Sequence, residues 1–261
     1  MMDYSEFKYV KVEKEGKVAV LTLNNPDNMN VFDVPMHQEV ERIFQVIALD
    51  HTVNAIVLTG AGKVFSAGGD IKMMQRGMAE MPPPEEPIRL IFNLLSVNQP
   101  IIAALNGHAL GVGATIALFC DIVVASEEAK IGDPHVSVGL VAGDGGCIIW
   151  PLLIGLNRAK EMLLTGKLLK AKEAESMGLI NYCVSRDDVM PKALEIAHNL
   201  ANGPAKAIQW TKMSLNKKLR QDVNLILPTS TGFEYLTMAT EDHKEAVAAF
   251  IEKRKPKFTG N

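Results

Sequence analysis

The sequence predicts one large α/β domain with a mostly parallel sheet and a helix-rich C-terminal end. Three observations carry this. The 261 residues suffice for a single substantial core. Short apolar strands alternate with helical patterns, the arrangement of right-handed crossover units. The second half reads mostly as helix, with no internal repeat and no low-complexity linker.

Residues 7–12 and 17–23 are rich in Val and Leu and read as strands around a Glu15-Gly16 turn. Asn24-Asn25-Pro26-Asp27 is a strong stop. Between 34 and 49, Val40, Ile43, Phe44 and Ile47 recur at helical spacing. A strand follows at 54–59, closed by Gly60-Ala61-Gly62, and a helix starts near Asp70. The proline-rich run 81–87 predicts a mobile surface loop without regular structure. Residues 88–97 return to helix, 101–105 form a strand, and a helix from the Leu110-Gly111-Val112-Gly113 segment to Phe119 leads to a strand at 121–125. Further helices are expected at 190–201, 204–219 and 235–251.

A formal net charge of −3 shows no excess of positive charge and argues against nucleic acid as the main partner. Cys120, Cys147 and Cys183 are odd in number, widely spaced and set in apolar stretches, the pattern of reduced thiols in a cytoplasmic protein. The N-terminus, with Asp3, Glu6 and Lys8, lacks a signal-like apolar core, and the apolar runs are too short to span a membrane. No metal site is expected.

Two segments stand out: Phe65-Ser66-Ala67-Gly68-Gly69-Asp70-Ile71-Lys72 and Asn106-Gly107-His108-Ala109-Leu110-Gly111-Val112-Gly113. Each follows a strand and opens into a helix. Glycine lets the backbone approach a ligand, and a helix's first turn carries free N–H donors. Two such turns side by side can aim two donors at one oxygen, the construction of an oxyanion hole. On spacing alone, tight strand-to-helix turns explain the glycines equally well. The glycine order matches neither a dinucleotide fingerprint nor a phosphate loop, and Ser66 lacks the preceding glycine of a nucleophile elbow.

At these residues the chain resembles the crotonase (enoyl-CoA hydratase/isomerase) superfamily along nearly its whole length. The matching pieces are Leu23-Asn24-Asn25-Pro26, Ala67 to Lys72, Pro100 to Gly107, Cys120-Asp121-Ile122, Leu164-Thr165-Gly166 and Phe250 to Arg254. The resemblance implies a ββα spiral core, set here at residues 1–200, and a helical trimerisation region at 201–261, often in a dimer of trimers. It implies an acyl-CoA substrate, with coenzyme A as part of that substrate and no tightly bound cofactor. It also implies oxyanion donors at the Gly69 and Val112 N–H groups, the second position usually being glycine. Ala67, Asp70, Lys72, Thr115 and Lys253, with Lys255 in support, are expected at the substrate or its CoA end. Each lysine can equally be a solvated surface charge. Met73, Met74 and Met78 either line an acyl pocket or pack in the core, and Trp150 is expected in the core.

Hydratases of this family carry a glutamate at each of two positions, here held by Thr115 and His135. Thr115 cannot exchange protons as a carboxylate does, so the two-glutamate mechanism is closed. An unperturbed histidine titrates near neutrality, so His135 is a candidate base, and Asp144, across the Gly143-Asp144-Gly145-Gly146 loop, can orient it as a catalytic His–Asp dyad. A structural histidine and a loop-capping aspartate are the competing readings. The run Asp133-Pro134-His135 … Gly143-Asp144-Gly145 … Trp150-Pro151 is similar to a crotonase branch that hydrolyses C–C bonds of β-diketones, with 6-oxocamphor hydrolase as its type. The expected reaction is therefore addition of water at C3 of an enoyl-CoA. The alternatives are retro-Claisen cleavage of a β-diketone or 3-oxoacyl-CoA, and a catalytically inactive CoA-ester binding protein.

Overall fold

The fold of residues 2–261 is described by a computed structural model. Strands β1 (Val10–Glu15) and β2 (Val18–Leu23) form an antiparallel hairpin, with Gly16 supplying a positive φ of 60° in its two-residue turn. Then follow α1 (Val34–Ala48), β3 (Ala55–Gly60), α2 (Ile71–Arg76), α3 (Glu85–Ser96), β4 (Ile101–Leu105), β5 (Ala109–Leu110), α4 (Val112–Phe119) and β6 (Ile122–Ser126). The chain continues through β7 (Lys130–Gly132), α5 (Gly146–Ile154), α6 (Leu156–Thr165), β8 (Leu169–Lys170), α7 (Ala171–Met177), β9 (Tyr182–Val184) and α8 (Val189–Ala201). It ends in α9 (Ala205–Met238) and α10 (Glu241–Ile251).

The main sheet has the order β1-β2-β3-β4-β6-β9 and is parallel from β2 onward. Its central strands β3 and β4 are buried at every position, which is why they read as unbroken apolar runs. Alternate residues serve two cores. Ala55, Val57, Ile102, Ala104 and Val124 face α8, whose Ala193, Ala197 and Ala201 bring that helix close to the sheet. Ile56, Leu58, Ile101, Ala103 and Leu105 face the larger core under α1, α3 and α4. Trp150 is wholly buried in that core, as expected. A second sheet, β5-β7-β8, ties the two glycine turns to the body.

Several expectations shift. The first strand starts at Val10, because the Glu39 carboxylate accepts from the Lys8, Tyr9 and Val10 N–H groups and holds the entry outside the sheet. The proline run is not all loop: α3 begins at Glu85, and Pro87 sits in the first turn, where a missing N–H breaks no helical bond. Nor does the run lie free, since Pro82 is buried and its carbonyl accepts from Tyr235 Oη at 2.5 Å. The expected helices at 204–219 and 235–251 are one 34-residue helix that runs through Pro228, then a break before Thr240 caps α10. Buried Lys212 anchors α9, donating to the Gln99 carbonyl at 2.9 Å and to Asp121 at 2.6 Å. No helix among the described residues is long and apolar enough to cross a membrane.

Candidate active site

The two glycine turns are laced together. Ser66 N–H donates to the His108 carbonyl at 3.1 Å, and Leu110 N–H to the Ser66 carbonyl at 3.0 Å. A Cβ on Gly68 (φ 93°) would lie 2.8 Å from the Leu110 carbonyl oxygen, and one on Gly113 2.6 Å from Ser66 Cβ. Close approach, beyond turning, therefore demands these glycines. Behind them, buried Asn30 donates to the Ala61, Val64 and Phe65 carbonyls, and Ser66 Oγ donates to the Asn30 carbonyl at 2.8 Å. Gly69 and Val112 line one cavity together. Val112 opens α4, so its N–H has no helical acceptor, and neither its N–H nor that of Gly69 donates a hydrogen bond among the described residues.

The same cavity is walled by ionisable side chains. His135 stands on the single 3-10 turn His135–Val138, with Nδ1 against Asp133 Oδ1 in a short contact. Its Nε2 lies 3.7 Å from Asp144 Oδ2 and 3.7 Å from Glu234 Oε1. Asp144 is fixed by Thr115 Oγ1, which donates to Oδ1 at 3.0 Å. Glu234 comes from α9, pressed onto the 143 loop, where the Ser230 hydroxyl donates to the Gly143 carbonyl at 2.8 Å. A Cβ on Gly143 would meet the Ser230 carbonyl oxygen at 2.4 Å, so only glycine lets α9 this close.

All four groups are buried. Burial works against the imidazolium, but Asp133, Asp144 and Glu234 outweigh it and hold the His135 pKa well above the ordinary histidine value. Burial pushes Asp144 up against the pull of His135. It lifts Glu234 to about 8, with the neighbouring aspartates adding to the rise and His135 opposing it. The cluster therefore holds protons that separate carboxylates would release, and it titrates as a unit. One ligand atom each from Asp133, His135 and Asp144 lie within 4.8 Å of one another, the spacing of a metal set. His135 Nδ1 is already engaged with Asp133, so the free face is Nε2 with Asp144 and Glu234.

Two cavities meet at Gly69, Met74 and His135. The inner one is lined by apolar groups including Phe32, Met73, Met81, Pro82 and Met238. The outer one, of about 450 Å³, runs past Ala67, Gly111, Pro134 and Val138 to Phe250, Arg254 and Pro256 of the tail.

Residues 13–261 match the family model described as enoyl-CoA hydratase/isomerase. The chain belongs to the enoyl-CoA hydratase/isomerase family. It is 37% identical over 254 residues to a short-chain-enoyl-CoA hydratase of Clostridium acetobutylicum, covering 96% of this chain and 97% of that protein. It is 34% identical over 256 residues to a crotonyl-CoA hydratase of Syntrophomonas wolfei, covering 97% and 98%. A crystal structure of an enoyl-CoA hydratase/isomerase from Mycobacterium paratuberculosis superimposes with a TM-score of 0.88 at 35% identity, covering 92% of this chain and 97% of that one. The ββα core and the helical C-terminal region thus match solved members of the enoyl-CoA hydratase/isomerase family.

Around these cavities the residues singled out from sequence fall into distinct places. Gly69, Val112, His135 and Asp144 converge on the inner cavity, and Met73 and Met74 line it, whereas Met78 is half exposed. His135 and Asp144 do not share the hydrogen bond expected of a dyad. Their 3.7 Å separation is an ion-pair distance, and the carboxylate that fixes the ring is Asp133, two residues before it. Thr115, expected against substrate, is wholly buried behind Asp144 and supports that carboxylate instead. Asp70 caps α2, its carboxylate accepting from Lys72 N–H at 2.9 Å. Ala67 lines the outer cavity, and Lys253 and Lys255 are exposed while Arg254 between them lines it. Arg254 is paired with Glu245 at 2.5 Å. Glu234 and Tyr235, which also line the inner cavity, are not singled out by the sequence. Their only signal is a carboxylate within an amphipathic helix, which says nothing until α9 is docked on the Gly143 loop.

Proposed function

We propose that this chain acts on an acyl-CoA thioester, adding water at C3 through an enolate held by the Gly69 and Val112 N–H groups. The observation that carries this reading is the convergence of two uncommitted N–H groups and the His135 cluster on one cavity. The outer cavity takes the CoA portion and the inner one the acyl group. The thioester oxygen accepts from both N–H groups, which stabilise the charge that develops there when water attacks C3; one such donor is worth about 3–4 kcal/mol. His135, kept as the imidazolium by its carboxylate neighbours, presents Nε2–H to the reacting water as a donor, and Asp133 on Nδ1 fixes the ring. Asp144, made more basic by burial, receives the proton of the attacking water, and Glu234, neutral below about pH 8, or the imidazolium returns one to C2. The names of the relatives, short-chain-enoyl-CoA and crotonyl-CoA hydratases, support the substrate class.

A second reading rests on the replacement of the two family glutamates by Thr115 and His135. If C3 carries a carbonyl, the same water adds there, the C2–C3 bond breaks, and the enolate leaves into the same pair of donors. This is the retro-Claisen chemistry of the β-diketone branch. Turnover of a panel of enoyl-CoA and 3-oxoacyl-CoA esters separates the two: product 3-hydroxyacyl-CoA marks hydration, and a shortened acyl-CoA with a free acid marks cleavage. No turnover of any thioester by the folded protein refutes both and leaves a CoA-ester binding protein. We further propose a trimer, because α9 exposes Trp210, Leu215, Leu225 and Leu236, each more than 60% accessible in one chain.

A further inference from the structure

His135 and the carboxylates around it have the make-up of a metal centre in two layers. The outer layer is complete. Asp133 holds His135 Nδ1, and Thr115 Oγ1 donates to Asp144 Oδ1 at 3.0 Å. A histidine that binds a metal through one ring nitrogen ordinarily gives the other to a carboxylate, and ligating carboxylates are themselves hydrogen-bonded. The inner layer is left over. Asp144 Oδ2 and Glu234 Oε1 each lie 3.7 Å from His135 Nε2. Among the described residues Nε2 makes no hydrogen bond. Neither oxygen of the Glu234 carboxylate accepts one, although Glu234 is only 7% exposed. Charge is left over as well. Among the described residues the one ion-pair partner of Asp133, Asp144 and Glu234 is His135, and no lysine or arginine meets them. Buried charges are ordinarily paired or given to a metal.

From this geometry we propose that His135 Nε2, Asp144 Oδ2 and Glu234 Oε1 bind one divalent transition-metal cation of the Zn²⁺ class. An ion about 2.1 Å from each donor makes the two 3.7 Å edges subtend about 120° at the metal, close to the tetrahedral and trigonal values. One nitrogen and two oxygens suit Zn²⁺, Mn²⁺ or Fe²⁺ and argue against Ca²⁺ and Mg²⁺, which take shells of oxygen. Asp133 has an atom within 4.8 Å of ligand atoms of His135 and Asp144, yet it belongs to the supporting layer because its Oδ1 is spent on Nδ1. Three protein ligands leave a fourth position. All three residues line the inner cavity, and the outer cavity reaches His135, so ions and small ligands have a path to it. Proton and cation compete for one lone pair. An ion on Nε2 displaces the Nε2–H that the hydration reading presents to water, so occupancy lowers hydration. The site itself depends on neither reaction.

The test is calorimetric titration of the full chain, without a histidine tag and stripped by a chelator, with ZnCl₂. One site per chain tighter than about 10 µM is expected. Asp133→Asn keeps all three ligands and is expected to weaken that site about 10–100-fold. Glu234→Gln, nearly isosteric, removes a ligand and weakens it further, and His135→Ala abolishes it. Circular dichroism confirms that each variant is folded. Replacing the half-exposed His198, which lies on neither cavity wall, leaves the site unchanged. No site of that strength in the native chain overturns the inference, as does an affinity unaltered in both Glu234→Gln and His135→Ala. Where the native chain hydrates an enoyl-CoA, saturating Zn²⁺ is expected to lower kcat at least about tenfold. An unchanged kcat at full occupancy contradicts the placement of the ion on Nε2. A chain with no turnover refutes the hydration reading alone, because the binding titration decides this inference by itself.

Discussion

The two halves of the site are built in opposite ways. The half proposed to meet the thioester oxygen is backbone: the Gly69 and Val112 N–H groups, set beside Gly68 and Gly113, where a Cβ would strike the Leu110 carbonyl or Ser66. The half proposed to face C3 is side chain: Asp133, His135, Asp144 and Glu234, gathered from a short strand exit, a glycine loop and a helix about ninety residues further on. The backbone half has little freedom to vary, since its donors are the chain itself. The side-chain half, with Thr115 and His135 at the two positions expected to hold glutamate, sits in the same fold. A change of reaction within one architecture therefore belongs to the second half.

Breaking the side-chain half has the largest expected effect. His135→Ala lowers kcat by about 10²–10⁴-fold, while calorimetry still detects binding of a saturated acyl-CoA. An unchanged rate removes the cluster from the mechanism. In the backbone half, Gly113→Ala forces a Cβ to within 2.6 Å of Ser66 Cβ and displaces the first turn of α4. A loss of about 10²–10³-fold in kcat is expected, the scale of one misplaced oxyanion donor. Asp133→Asn keeps the shape but frees Nδ1, and is expected to cost on the order of ten- to a hundredfold. It also removes a charge that raises the His135 pKa, so any limb of the pH–rate profile set by His135 moves to lower pH.

Glu234 sharpens the comparison through stability. Its pKa is higher folded, about 8, than the ordinary carboxylate value near 4.5. Between those pH values the folded chain binds a proton that the unfolded chain has released. Stability from this group is thus fully present below about pH 4.5 and falls as pH rises through about 8. Denaturant midpoints measured across that window are expected to decline with pH, and Glu234→Gln to flatten the decline. His135 and Asp144, also raised, leave a residual slope. The smallest effect belongs outside both halves. Lys72→Ala removes one exposed cation and raises KM at most about fivefold, the worth of a surface ion pair.

The two halves also differ in how far the sequence reveals them. Gly68-Gly69 and Gly111-Val112-Gly113 announce themselves because the whole device is local: strand, glycine, helix start. α1 is equally legible through its helical spacing, and β2, β3 and β4 through their short apolar runs. β5, β7, β8 and β9 escape notice because two or three residues carry no pattern. The helical patterns expected at 204–219 and from 235 belong in part to one helix, since α9 is continuous from Ala205 to Met238 with Pro228 inside it. His135 and Asp144 are visible as chemistry-bearing residues. Their relation is not, because Asp133 reaches Nδ1 first and leaves Asp144 and Glu234 to share Nε2. Glu234 depends on the packing of α9 against Gly143, a contact between residues about ninety positions apart.

The central claim is that two backbone N–H groups polarise a thioester carbonyl. The most direct measurement is the carbonyl stretch of a 13C-labelled enoyl-CoA thioester bound to the His135→Ala variant, read by difference Raman or infrared spectroscopy. Binding without turnover is the state this variant is expected to provide. Two donors at the oxygen predict a clear shift to lower frequency than in water, diminished by Gly113→Ala. A bound thioester whose carbonyl frequency equals its value in water would contradict the account.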